Sequence, residues 1–258
     1  MIGIMILIIS LSPTFASAQQ KQDESKDADF YTKRGISYYQ KGEYDQAILD
    51  FDKALQINPM NAEAYNNRGS VYGEKGRYDQ AISDFCKALE ISPMYAEAYY
   101  NRGVTYNRRG QSDQAILDFE KALEINPRLA EAYYSRGLVY DGKGQYDQAI
   151  SDYNKAIEIN PRFVNPYNEI AWLLATAKAS HYRDGKKALE LSLKACELSE
   201  WKTPNYLDTL AAAYARVGDF DNAVRWQKKV LESPEFSNDK AAQQRLNLYR
   251  SHKAWPPD

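Results

Sequence analysis

The sequence predicts an all-α protein, a solenoid of helix-turn-helix repeats closed by a C-terminal capping helix. Three observations predict it. A set of ten marks returns every 34 residues through four consecutive units, and self-similarity at a fixed period is the signature of a stacked array. Within each unit, small and apolar residues recur at three- and four-residue steps, the period of one helix face. Glycine and proline stand at fixed places between those runs, where they end helices.

The clearest copy is residues 62–95, with Tyr65, Arg68, Gly69, Tyr72, Gly76, Tyr78, Ala81, Phe85, Ala88 and Pro93 as its marks. Units 28–61, 96–129 and 130–163 repeat them, apart from Ser112 in place of tyrosine and Tyr153 where the others have Phe51, Phe85 and Phe119. In unit 62–95, the first helix carries Ala64, Tyr65, Arg68, Gly69 and Tyr72 on one face. Gly76 breaks the chain without a Cβ penalty. Asp79 opens the second helix, where a carboxylate caps free N–H groups. Ala81, Ile82, Phe85, Ala88 and Leu89 form its buried face, and Pro93 ends it. Gly69, Ala81 and Ala88 are small because two helix backbones meet there.

The remainder keeps the order of the marks with a looser register. Residues 164–203 read as a degenerate fifth unit, with Ala171 in the glycine position and about five extra residues within 175–183. Residues 204–237 read as a sixth unit. Residues 238–258 supply a capping helix rich in Lys, Gln and Arg, which solenoids need over their last apolar face, and then a tail expected to be loose unless Trp255 folds back. At the other end, residues 1–18 read as a signal peptide. An apolar run over 2–11 is followed by Pro13 and Ala16-Ser17-Ala18, an A-x-A-type site that places cleavage before Gln19. The run is too short for a membrane span, which takes about 20 apolar residues. Residues 19–27, without an apolar residue before Ala28, read as a disordered spacer. The chain is therefore expected to be exported, periplasmic or extracellular, with no stable span after cleavage; an uncleaved segment would instead tether it to the membrane.

Composition narrows the function. A net charge of -2 argues against a nucleic-acid surface, which needs a basic stripe. The 21 tyrosines are mostly template positions. Cys86 stands where other units have Asp52, Glu120 and Asn154, and so should be exposed. Cys196 stands where they have Leu55, Leu89, Leu123 and Ile157, and so should be core; the two are three units apart and no bridge is expected. No metal or other cofactor is expected, because two cysteines and the two histidines, His181 and His252, are scattered. No phosphate loop or nucleophile elbow is present, and His181 reads as part of a polar turn. No catalytic residue is assigned, and the protein is read as no enzyme.

The unit resembles the tetratricopeptide repeat, whose pattern has an aromatic, Leu-Gly, Tyr, Ala, Phe, Ala and Pro. One systematic departure is Arg34, Arg68, Arg102 and Arg136 at the usual leucine. The resemblance implies a right-handed array whose first helices line a groove for an extended or helical partner segment. On this chain the positions that vary there are Asn66, Asn67 and Ser70, then Tyr100 and Asn101, then Tyr134 and Ser135. These are the expected contacts to a peptide or protein partner: the amides pair with backbone groups, and the tyrosines offer flat amphipathic surface. Asp29, Glu63, Glu97 and Glu131, second in each unit, could draw a basic partner into the groove, but first-turn acids also suit the helix dipole and that reading is favoured. The chaperone-binding subset of the family clamps a terminal carboxylate with Lys, Asn and Arg; here only Asn67 or Asn101 matches, Glu97 has the wrong sign, and no such clamp is expected. The expected function is a non-catalytic interaction module. The alternative is a structural subunit of a larger envelope complex that uses the convex face or the repeat ends.

Overall fold

The computed structural model describes residues 27–256. The expected signal segment, and all but the last residue of the expected spacer, lie outside the described residues. Thirteen α-helices and one 3-10 turn make up the described residues, with no strand among them. The helices are α1 (Ala28–Gln40), α2 (Tyr44–Ile57), α3 (Ala62–Glu74), α4 (Tyr78–Ile91), α5 (Ala96–Arg108), α6 (Ser112–Ile125), α7 (Ala130–Gly142), α8 (Tyr146–Ile159), α9 (Val164–Thr176), α10 (Gly185–Leu198), α11 (Pro204–Arg216), α12 (Phe220–Leu231) and α13 (Lys240–Arg250). They fall into two compact units that meet in sequence between Gln111 and Ser112.

In the first unit, α1 pairs with α2 and α3 with α4, and α5 lies against α4. The close approach inside each pair is set by a missing side chain. A Cβ on Gly69 would stand 2.9 Å from the Phe85 ring and 3.2 Å from the Ala81 carbonyl oxygen. Gly76 has φ +70, a left-handed conformation that lets its own N–H bond to Gly73 O while Arg77 N–H reaches Tyr72 O. Asp79 departs from the expectation. Arg77 is the N-cap of α4, with no side-chain cap bond, and Asp79 instead pairs with Arg109 at 2.6 Å. Genuine side-chain caps occur at Asp27 and Asn61, which accept from Phe30 N and Ala64 N.

The second unit repeats the pairing in α7 with α8, α9 with α10 and α11 with α12; α6 lies on α7, and α13 covers α12 and α11. Between α9 and α10 the extra residues form the 3-10 turn Ser180–Tyr182, and Asp184 caps α10 through Lys187 N. That turn docks on α8: Tyr182 Oη donates to Asp147 at 3.0 Å, and its ring meets Tyr146 edge-on. His181 is exposed, its ring tilted against that of Tyr182 at 4.2 Å between centres. Cys196 is fully buried, and burial pushes its thiol up to about 12.

The described part of the tail folds back, the alternative that the sequence left open at Trp255. Arg216 donates to the carbonyl oxygens of Trp255 at 2.9 Å and Pro256 at 3.1 Å, and its Nε to Ala175 O at 2.8 Å. Trp255 thereby packs on the cluster around Ala211, Ala215 and Tyr249. The cap itself is held by a buried polar knot. Asp208 on α11 accepts from Gln227 of α12 at 2.7 Å and from Arg245 of α13 at 3.0 Å, with a second Arg245 contact at 2.7 Å.

Candidate interaction surface

The first helices are held by a ladder of ion pairs that explains the arginine departure. Arg68 forks onto Asp84 with two bonds of 2.7 Å and also reaches Asp52. Arg34 does the same to Asp50, and Arg136 to Asp152 at 2.8 Å for both bonds. Each guanidinium also lies over two template tyrosines, Tyr65 and Tyr72 for Arg68, Tyr133 and Tyr140 for Arg136. Burial works against the Arg68 charge, but the bonds and charges of Asp84 and Asp52 outweigh it and raise its pKa. The arginine thus replaces an apolar contact between paired helices by a bidentate one. Sequence reasoning passed over the partner, although an aspartate recurs sixteen residues after each arginine, at 50, 84, 118 and 152.

Within the first unit the predicted residues of α3 and α5 come together. Asn66 is buried, and its Oδ1 accepts from Asn101 Nδ2 at 3.0 Å while its Nδ2 points at Tyr95 Oη, 3.4 Å away. Asn66 therefore orients Asn101 and does not itself reach the surface. Asn67 spends its Nδ2 on Glu63 O at 2.9 Å, and Ser70 donates to Asn66 O at 3.0 Å. In Asn67 and Asn101, whose Nδ2 groups are engaged, that leaves the side-chain carbonyl oxygen as an acceptor. Asn101 and Ser70 line a crevice of about 70 Å³, together with Gly73, Phe85 and Thr105. One rim is closed by Arg108 and Glu74, paired at 2.8 Å, and Tyr39 stands beside them. Burial, then the nearby charge of Glu74, raises the Tyr39 phenol. Tyr100, also on α5, is partly buried. Glu63 and Glu97 are exposed in the first turns of α3 and α5. Cys86 is half-buried and not open, because Arg102 Nη1 donates to its sulfur at 3.1 Å.

In the second unit Tyr134 and Ser135 stand on α7. Tyr134 packs against Tyr153 at 5.9 Å between ring centres and edge-on against Phe163 at 5.0 Å. It serves the core as well as the surface. Ser135 is partly exposed. Among the described residues no three His, Cys, Asp or Glu side chains gather as a metal site requires, and no helix is long and apolar enough to cross a membrane.

The TPR repeat signature matches residues 35–76 and 69–110, and two tetratricopeptide repeat signatures match 96–129, 130–163 and 205–233. The chain belongs to the tetratricopeptide repeat family. Tetratricopeptide arrays are in general protein–protein interaction scaffolds, not catalysts. Among solved structures this tetratricopeptide protein is similar to MamA, with 33% identity and a TM-score of 0.56 over 65% of this chain and 95% of that one. It is similar to PilW, a type IV pilus biogenesis factor, with 21% identity and a TM-score of 0.72 over 84% and 97%. YrrB, described as a TPR protein with an unusual peptide-binding site, shares 22% identity and a TM-score of 0.58 over 75% and 95%. The last two likenesses concern the fold alone. No curated protein matches the sequence.

Proposed function

We propose that this tetratricopeptide protein is a non-catalytic interaction module that holds an extended peptide or protein segment against the first helices of its repeats. The observation that carries the reading is the Asn66–Asn101 pair. A buried amide fixes a half-buried one, so that Asn101 lines the Phe85 crevice with its Nδ2 engaged and its Oδ1 left to accept from a backbone N–H. Asn67, whose Nδ2 is spent on its own helix, offers a second acceptor on α3. Ordering before the partner arrives lowers the entropic cost of binding. In the second unit, taken by itself, Tyr134 and Ser135 of α7 are the corresponding candidates. The site of action is outside the cytoplasm, since residues 2–18 carry an apolar run ending in an A-x-A site; the pilus role of PilW is in keeping with an envelope setting.

The test is capture of partners from an envelope extract on the immobilised chain, compared with Asn67→Ala, Asn101→Ala and Tyr134→Ala. The expected result is a protein retained by the parent and lost from the Asn101→Ala column. A partner that all three variants retain equally would refute the groove reading. N-terminal mass analysis of the protein from its host tests export: a chain beginning at Gln19 supports it, and one beginning at Met1 opposes cleavage.

A further inference from the structure

The crevice beside Asn101 exists because one repeat position lacks a side chain. Gly73 lines it, at the place where the other three regular units have Tyr39, Asn107 and Asp141. Two common reasons for a glycine do not apply to it. It lies in the last turn of α3, and the left-handed residue that follows this helix is Gly76. Nor does it admit a close neighbour: a Cβ there would meet only Thr105 Oγ1, at 3.6 Å, an ordinary contact. Gly69, one turn earlier, is the contrast, with the Phe85 ring 2.9 Å from the place of its Cβ. A helical glycine forgoes stability that alanine would supply. At Gly73 its effect is open space.

That space is about 70 Å³, lined by Ser70 and Gly73 of α3, Phe85 of α4, and Asn101, Val104 and Thr105 of α5. All belong to the first unit. One water molecule takes roughly 30 Å³ of the liquid, so the crevice admits a group of one to about three heavy atoms. An isobutyl or aromatic side chain is too large. The hydroxyls of the lining are already spent: Ser70 donates to Asn66 O at 3.0 Å and Thr105 to Asn101 O at 2.9 Å. Val104 and Phe85 are left to give an entering group dispersion contacts. The rim charges of Glu74 and Arg108 are paired with each other at 2.8 Å, so neither selects a charged group.

We infer that the crevice is a specificity pocket for one small uncharged side chain of the bound segment: alanine, serine, threonine or valine. The inference rests on the interaction-module reading and names what its first unit selects, beside the main-chain contact assigned to Asn101. Gly73 sets the limit on size, because a methyl placed there takes the room that the ligand's own methyl would fill.

The probe is a phage-displayed library of random dodecapeptides, selected on the immobilised full chain; the best binder is then synthesised and titrated by calorimetry. The selected sequences are expected to share one position held by alanine, serine, threonine or valine. Leucine or phenylalanine at that position should weaken binding about tenfold or more, the scale of a surplus methylene in a closed pocket. Gly73→Ala should weaken the selected peptide by a similar factor, with Tm unchanged or raised. Glycine at the shared position of the peptide should bind the parent chain worse, yet recover part of the loss on Gly73→Ala. Equal binding of the small and leucine peptides, or an affinity that Gly73→Ala leaves unchanged, overturns the proposal. The two readings fail separately. Peptides weakened by Asn101→Ala but indifferent to Gly73→Ala remove the size pocket and leave the module. Peptides weakened by Gly73→Ala but indifferent to Asn101→Ala support the pocket and remove the Asn101 contact. A library that yields no binder removes both.

Discussion

Asp84→Asn tests the ion-pair ladder most sharply, because it keeps the shape of the side chain while removing its charge and one of the two oxygens that accept from Arg68. Asp84 is about 5% exposed, and the Arg68 side chain keeps 19% of its surface. The pair is therefore shielded enough for its two 2.7 Å bonds to count. A charge-assisted hydrogen bond is worth about 1.5–3 kcal/mol, and stranding a buried charge costs about 3–5 kcal/mol. Arg68 keeps Asp52 as a second partner, which places the loss at the lower end, about 2–3 kcal/mol. Arg68→Leu, which restores the residue usual in the family, should cost about the same because it strands Asp84. The double variant should cost only about 1–2 kcal/mol, leaving a coupling of about 3–4 kcal/mol. Urea unfolding followed by circular dichroism reads all four corners of the cycle. Asp50→Asn is the internal control: the Arg34 side chain is 35% exposed, so solvent screens the pair and the cost falls to about 1 kcal/mol. Coupling below about 0.5 kcal/mol at Arg68–Asp84, or a larger loss at Asp50 than at Asp84, would refute the argument.

Two glycines of α3 should answer oppositely to alanine. Gly69→Ala drives a methyl against Phe85 and the Ala81 carbonyl and should destabilise by about 1–3 kcal/mol. Gly73→Ala meets only Thr105 Oγ1 at 3.6 Å and should stabilise α3 by up to about 1 kcal/mol through helix propensity; thermal melts that rank them the other way would contradict the packing. At the C-terminal end, Asp208→Ala strands Arg245, whose side chain is 9% exposed, and should cost about 3–5 kcal/mol. Hydrogen exchange should then show α11, α12 and α13 losing protection first; a loss spread evenly over the second unit would mean that the Asp208 knot is not what holds the cap.

The architecture was legible because its determinants are local and periodic. Gly69 forecast a close approach, and the structure supplies the Phe85 ring that demands it. What escaped was pairwise and long in range. Arg68 was visible as a departure, but its partner lies sixteen residues on, across a turn and half a helix, where no helical period reaches. Asn66 was read as a contact because it varies on the exposed side of the template; only the structure shows it buried beneath Asn101. Asp79 satisfied the composition rule for a cap, yet capping depends on backbone angles at Arg77 that composition does not encode. For the tail the sequence left two outcomes open, loose or with Trp255 folded back, because nothing local to Trp255 and its prolines decides between them. The Arg216 guanidinium that gathers their carbonyls is 39 residues away from Trp255.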